Sequence, residues 1–97
     1  MRPVQLADIE MAARVLLRVA PEARLGVMKD MIRRAEVADR FRASTKRTHP
    51  QFGTGTLMSS AMRWSRAPRP AALGPDALHA YSVALAALRA NASHPSL

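Results

Sequence analysis

The chain has 97 residues, no cysteine and a net charge of +8, which excludes a disulfide-stapled domain and a thiolate metal site. Its apolar fraction of 48% is inflated by nineteen alanines, and only twenty residues are Leu, Ile, Val or Phe, close to the roughly 20% below which globular character fails. A chain this short hides only about 60–65% of the surface its unfolded form exposes, so with so thin a core a homo-oligomer is expected.

The first helix is predicted from about Leu6 to Val19. Leu6, Ile9, Ala13, Leu16 and Leu17 share one face, and Asp8 and Glu10 occupy the first turn, where the helix dipole favours acids. Pro21 ends this helix and suits the opening position of a second, predicted from Glu22 to about Ser44 with Leu25, Met28, Ile32, Ala35, Ala38 and Phe41 as its stripe. The short link makes the pair an antiparallel hairpin. Residues 45–55 (TKRTHPQFGTG) lack a helical period and carry Pro50, Gly53 and Gly55, which marks a loop. A short third helix is predicted over Thr56–Ser65, then a stiff proline-rich connector over 67–75. Asp76 starts a fourth helix in which Leu78, Tyr81, Leu85 and Leu88 repeat every three or four residues, Asn91 closes it, and the tail SHPSL is loose. No segment alternates at period two long enough for a strand, so the fold is expected to be all-α.

Charge is distributed unevenly along these elements. Between Asp39 and Asp76 there is no acid, while Arg40, Arg42, Lys46, Arg47, Arg63, Arg66 and Arg69 fall in that gap. Such a concentrated field suits a polyanion, most commonly nucleic acid. A bland origin competes with this, because thirteen Arg against two Lys also follows from GC-rich coding. Contact should be to phosphate and independent of sequence, since no helix-turn-helix signature is present. Elsewhere acids stand four before Arg14, Arg34 and Arg40, or three before Arg42. Each such pair is worth about 0.2–0.5 kcal/mol and describes a solvated face.

No catalytic constellation accompanies the basic segment, and no cofactor is expected. His49, His79 and His94 sit on a loop, a helix and a tail without ligand-like spacing; beside Pro50 and Phe52, His49 could form a turn or face a phosphate, and a structural role comes first. Ser59 and Ser60 lack a base and the glycines of a nucleophile elbow. GTGT at 53–56 lacks the Gly-Lys-Ser/Thr ending of a phosphate loop and reads as a flexible helix entry. Met28, Met31, Met58 and Met62 read as core filler before they read as an adaptable groove. Trp64, between Arg63 and Arg66, could stack on a base, yet a lone Trp on a short helix is usually a packing anchor. The N-terminal region is interrupted by Asp8, Glu10, Arg14 and Arg18, so neither a signal peptide nor a span is expected and the default location is cytoplasmic.

The run DRFRASTKRTHPQFGTGTLMSSAM (39–62), with the opening RPVQLADIEMAARVLL (2–17), resembles a small family of alphaproteobacterial proteins that includes the small terminase subunit of gene transfer agents. Lys46 to Gly55 is its most specific part. The resemblance implies a ring-forming, non-catalytic DNA-packaging adaptor that works with a large terminase motor. The family's helix-turn-helix region has no counterpart here, which puts site-specific recognition in doubt and leaves weak, non-specific contact with double-stranded DNA.

Three regions are therefore expected. Residues 1–44 form a hairpin whose Leu16, Leu25, Met28, Ile32 and Ala35 hold the oligomer. Residues 45–75 carry the basic loop, short helix and connector. Residues 76–97 dock a motor subunit through Leu78, Tyr81, Leu85 and Leu88. The competing reading is an oligomeric protein–protein adaptor whose arginines meet an acidic partner. A membrane-surface role is weak, because the polar face of the first helix carries acids where lysines would be needed.

Overall fold

The computed structural model describes residues 1–93; the last helix passes the predicted stop at Asn91 and takes in Ser93 of the predicted tail, and the rest of that tail, from His94 onward, lies outside the described residues. Within that range the chain is all-α. Helix α1 spans Leu6–Leu16, α2 Arg24–Thr45, α3 Leu57–Ala61 and α4 Pro75–Ser93. A single turn of 3₁₀ helix at Pro21–Ala23 precedes α2, so Pro21 opens that turn and α2 begins later than predicted. α3 is only five residues long, entered through Thr56, whose hydroxyl accepts a hydrogen bond from the Ser59 amide. The one β-type pairing among the described residues is an isolated bridge between His49 and Gly53. No described helix is long and apolar enough to cross a membrane.

α1 and α2 run antiparallel, with Arg24 at the end of α1 and the Met1 amine 3.3 Å from Asp39 far along α2. They are not a free-standing hairpin, however. α1 makes more of its contact with α3 and α4 than with α2, and α2 likewise leans on both. The shared core comprises Ala12, Ala13, Val15 and Leu16 of α1, Met28, Met31 and Ile32 of α2, Leu57 and Ala61 of α3, and Ala80, Ala84 and Ala87 of α4. Alanine on α4 lets its backbone approach α1 and α2 closely, which a leucine face would prevent. The predicted leucine stripe therefore lies one residue off the buried one: Leu78 and Leu85 are half exposed, while Ala77, Ala80, Ala84 and Ala87 face inward. Leu6, assigned to the core face of the first helix, is 85% exposed.

Two charged side chains join the helix ends. Arg24 is buried; its Nε donates to the carbonyls of Leu16 at 2.8 Å and Val19 at 3.1 Å. One terminal nitrogen donates to Asp76 Oδ1 at 2.7 Å and the other lies 2.8 Å from His79 Nδ1. Arginine can only donate, so Nδ1 accepts and the ring proton sits on Nε2. Asp8 is also buried and accepts from its own helix start, the Gln5 amide at 2.6 Å, and from the Met58 amide at 3.0 Å. It thus supplies an orphan donor of α3 with an acceptor from α1. The predicted helix-face pairs survive only in part. Arg34 Nε lies 2.9 Å from Asp30 Oδ2, within ion-pair range although its N–H does not point along the contact. Glu10 pairs with Arg69, not Arg14, and Glu36 turns inward, away from Arg40.

Candidate nucleic-acid interface

The loop after α2 is a folded unit that fixes where its cations stand. Lys46 caps α2 in the left-handed region, φ 62°, with its amide on the Arg42 carbonyl. His49 and Gly53 exchange two backbone hydrogen bonds of 2.9 and 3.1 Å. Inside that closure His49 Nδ1 accepts from the amides of Gln51 and Phe52, both at 3.0 Å. Its ring stacks on Phe52 at 4.7 Å and meets the edge of Phe41 at 4.9 Å. His49 is therefore the turn-forming residue of this loop. Gly53 and Gly55 have φ near +90° and bring the backbone against Ser59 and Asp39. The GTGT segment is a docking strip rather than a free hinge, and Ser59 Oγ accepts from the Thr54 amide.

The Gly55 carbonyl accepts a hydrogen bond from the Arg2 amide at 2.9 Å, which lays the N-terminal segment along the end of α2. A depression of about 310 Å³ is lined there by Arg2, Asp39, Arg42, Ala43 and Lys46. Asp39, its one acid, is engaged by the Met1 amine. Arg40 and Arg47, both exposed, lie on the same end of the helix and the loop that leaves it. None of Arg2, Arg40, Arg42, Lys46 and Arg47 is in an ion pair among the described residues. Position alone accounts for part of this, because the C-terminal end of a helix favours cations. Five of them, including one from the distant N-terminus, exceed what a cap requires.

The structure separates the remaining predicted contacts. Ser60 Oγ donates to the Met31 carbonyl at 2.8 Å and the Arg34 guanidinium lies over the Trp64 ring at 5.5 Å. The end of α3 thus meets the middle of α2, roughly 18–22 Å along the axis from Lys46. Arg63 and Arg66 belong to this second location, where Arg66 donates to the carbonyls of Met62 and Trp64. Arg69, a cation of the acid-free stretch, is neutralised from outside it and sits 2.9 Å from Glu10 Oε1. Trp64 does not present a free ring: it packs on the core with Arg34 between it and Phe52, the guanidinium 5.2 Å from the Phe52 centroid.

Of the residues expected to hold an oligomer, Leu16, Met28, Ile32 and Ala35 are buried within the protomer itself. α3 and α4 cover what a bare hairpin would have exposed, and only Leu25 remains on the surface, 47% exposed. Of those expected to dock a partner, Tyr81 and Leu88 pack partly against the core while Leu78 and Leu85 point outward. Arg2 was missed because it stands forty residues from its neighbours in the sequence. No curated protein and no solved structure matches the chain. The chain belongs, over residues 2–88, to the family described as a domain of unknown function, DUF7742.

Proposed function

We propose that the protein is a non-catalytic DNA-packaging adaptor of the small-terminase kind, working as a cyclic homo-oligomer beside a large terminase motor. The observation that carries the DNA part is the convergence of Arg2, Arg42 and Lys46 on one depression, flanked by Arg40 and Arg47. The resemblance of residues 2–17 and 39–62 to gene transfer agent small terminases supports the packaging role. Contact runs through phosphates, which suits a machine that loads DNA without choosing a sequence.

Affinity per protomer is expected in the range of about 10⁻⁴ to 10⁻⁶ M at physiological salt, with little difference between unrelated duplexes. Changing Lys46 and Arg47 together to Glu should weaken binding to every duplex and lower the slope of log K against log salt by about 2. Arg2→Glu should act like Lys46→Glu, although forty-four positions separate them, whereas Arg69→Glu should change little because Glu10 already neutralises that site. Fluorescence anisotropy across a salt series measures all four. Equal binding by wild type and the double variant, or strong preference for one duplex, would overturn the reading.

Lys46 permits a separation of charge from stability. A non-glycine residue in the left-handed region costs roughly 1–2 kcal/mol, and glycine is the favoured residue just past a helix end. Lys46→Gly should therefore raise the melting temperature while lowering DNA affinity. A variant that loses both would show that the side chain is needed for the fold.

A further inference from the structure

Beyond the basic end, α2 and α4 leave an open groove of about 590 Å³ whose apolar lining is Leu25, Ile32, Ala86, Ala87 and Ala90 and whose polar lining is Glu36 with Lys29, Arg33 and Asn91. Glu36 is only 8% exposed, and its Oε1 is buried without a hydrogen-bond partner. A buried carboxylate oxygen without a donor is costly unless something outside the chain supplies one. Leu25, at the other end of the groove from Glu36, is 47% exposed. The outward face of α4 carries the matching pattern. Leu78 and Leu85 are 51% and 50% exposed, and Arg89, exposed on the same face, makes no ion pair among the described residues.

The spacings agree residue for residue. Leu25, Ile32 and Glu36 stand seven and then four apart on α2; Leu78, Leu85 and Arg89 stand seven and then four apart on α4. With a rise of about 1.5 Å per residue, both sets span roughly 16 Å. A helix laid parallel to α2 in this register sets leucine on leucine, leucine on the isoleucine edge and guanidinium on the orphan carboxylate. The groove and the outward face lie on different sides of α4, so one molecule cannot satisfy both by itself.

We infer that the groove between α2 and α4 receives the outward face of α4 from a second copy of this chain, with Arg89 of that copy donating to Glu36. A contact between two different surfaces is heterologous, and its repetition produces a closed ring where the rotation permits. The inference rests on the oligomeric part of the function proposed above and is independent of the DNA part. It gives Leu78 and Leu85 to a neighbouring copy and not to a motor subunit.

Sedimentation velocity on the whole chain without DNA, over a concentration series, provides the test. Arg89→Glu and Leu85→Asp alter exposed positions, so circular dichroism should show them folded, and each should weaken association at least about 30-fold, as for a buried pair that loses one partner. Glu36→Arg should do the same, and joining it to Arg89→Glu should restore assembly. If Glu36→Arg does not fold, the two α4 variants still decide. A wild-type chain that stays monomeric up to about 1 mM would overturn both this interface and the oligomeric reading. Unchanged assembly in Arg89→Glu and Leu85→Asp would overturn this interface alone.

Discussion

Arg24→Ala should lower stability by about 3 kcal/mol, the largest loss expected from any single side chain in this protein. Removing one member of a buried pair costs about 3–5 kcal/mol. Asp76 is 65% exposed, so its own share is screened and the upper end of that range is not reached. The rest comes from the carbonyls that close α1: Leu16 loses one of its two donors and keeps the Val19 amide at 3.0 Å, while Val19 loses the Arg24 Nε. An acceptor left without a donor on burial costs about 1–3 kcal/mol. For a domain this small each kilocalorie shifts the melting temperature by roughly 4–8 °C, which puts the drop near 15 °C or more. Arg24→Lys should recover less than half of it, because one ammonium cannot reach carbonyls, imidazole and carboxylate together. Asp76→Asn should cost at most about 1 kcal/mol, as for an exposed pair. Thermal and urea unfolding monitored by circular dichroism measure all three. A loss below about 1 kcal/mol in Arg24→Ala would mean that packing alone holds the helix ends together.

That role could not be read from the sequence, and the reason is physical. An arginine near a helix start looks like a solvated charge until a second helix start is brought beside it, and Asp76 and His79 lie more than fifty residues away. What was legible was local. Pro21, the alternation of apolar residues at three and four, and the glycines of the loop placed four helical segments in the right order. The core face of α4 was not legible, because hydrophobic spacing points to its leucines whereas close packing selects its alanines. The stripe Leu78, Tyr81, Leu85 and Leu88 was read as a docking surface; the fold leaves Leu78 and Leu85 half exposed and packs Tyr81 and Leu88 partly against the core. Of the oligomer residues assigned to α2, Met28, Ile32 and Ala35 are buried within the same chain, and Leu25 stays on the surface.

For the basic segment, the sequence carried the sign and the region of the charge and not its grouping. Seven cations in an acid-free stretch became two separate groups, one neutralised arginine and one addition. Arg69 was lost to Glu10 because the connector folds back along α1, where the Ala67 amide donates to the Arg14 carbonyl at 2.9 Å and Arg14 Nε returns a bond to Ala67. Arg2 was gained because Gly55 anchors its backbone. Glu36 looked like half of a surface pair with Arg40, four residues on. Its inward turn is a tertiary fact, set by the groove that α4 makes with α2.

Gly55→Ala is the second large effect expected, and it links the loop to the basic site. At φ +94° a Cβ added here would lie 2.8 Å from the Asp39 Cα, 2.9 Å from its Cβ and 3.1 Å from its nitrogen. Those atoms belong to the interior of a 22-residue helix and cannot give way as a flexible side chain would. The left-handed conformation adds about 1–2 kcal/mol for any residue with a Cβ, and overpacking typically costs 1–3 kcal/mol, so about 3 kcal/mol is expected in total. The loop can escape only by lifting off α2, which carries the Gly55 carbonyl and the Arg2 amide away with it. DNA affinity should then fall as in Arg2→Glu, although no charge has been removed. Gly26→Ala provides the opposite case: it is helical, with nothing within 4 Å of the added carbon, and should stabilise by about 0.4–1 kcal/mol without touching DNA binding. Unfolding curves and anisotropy on the two variants therefore separate backbone fit from charge. If Gly55→Ala destabilises the protein yet binds DNA as tightly as wild type under conditions where it is folded, Arg2 does not act with Arg42 and Lys46, and the basic end of α2 must work without it.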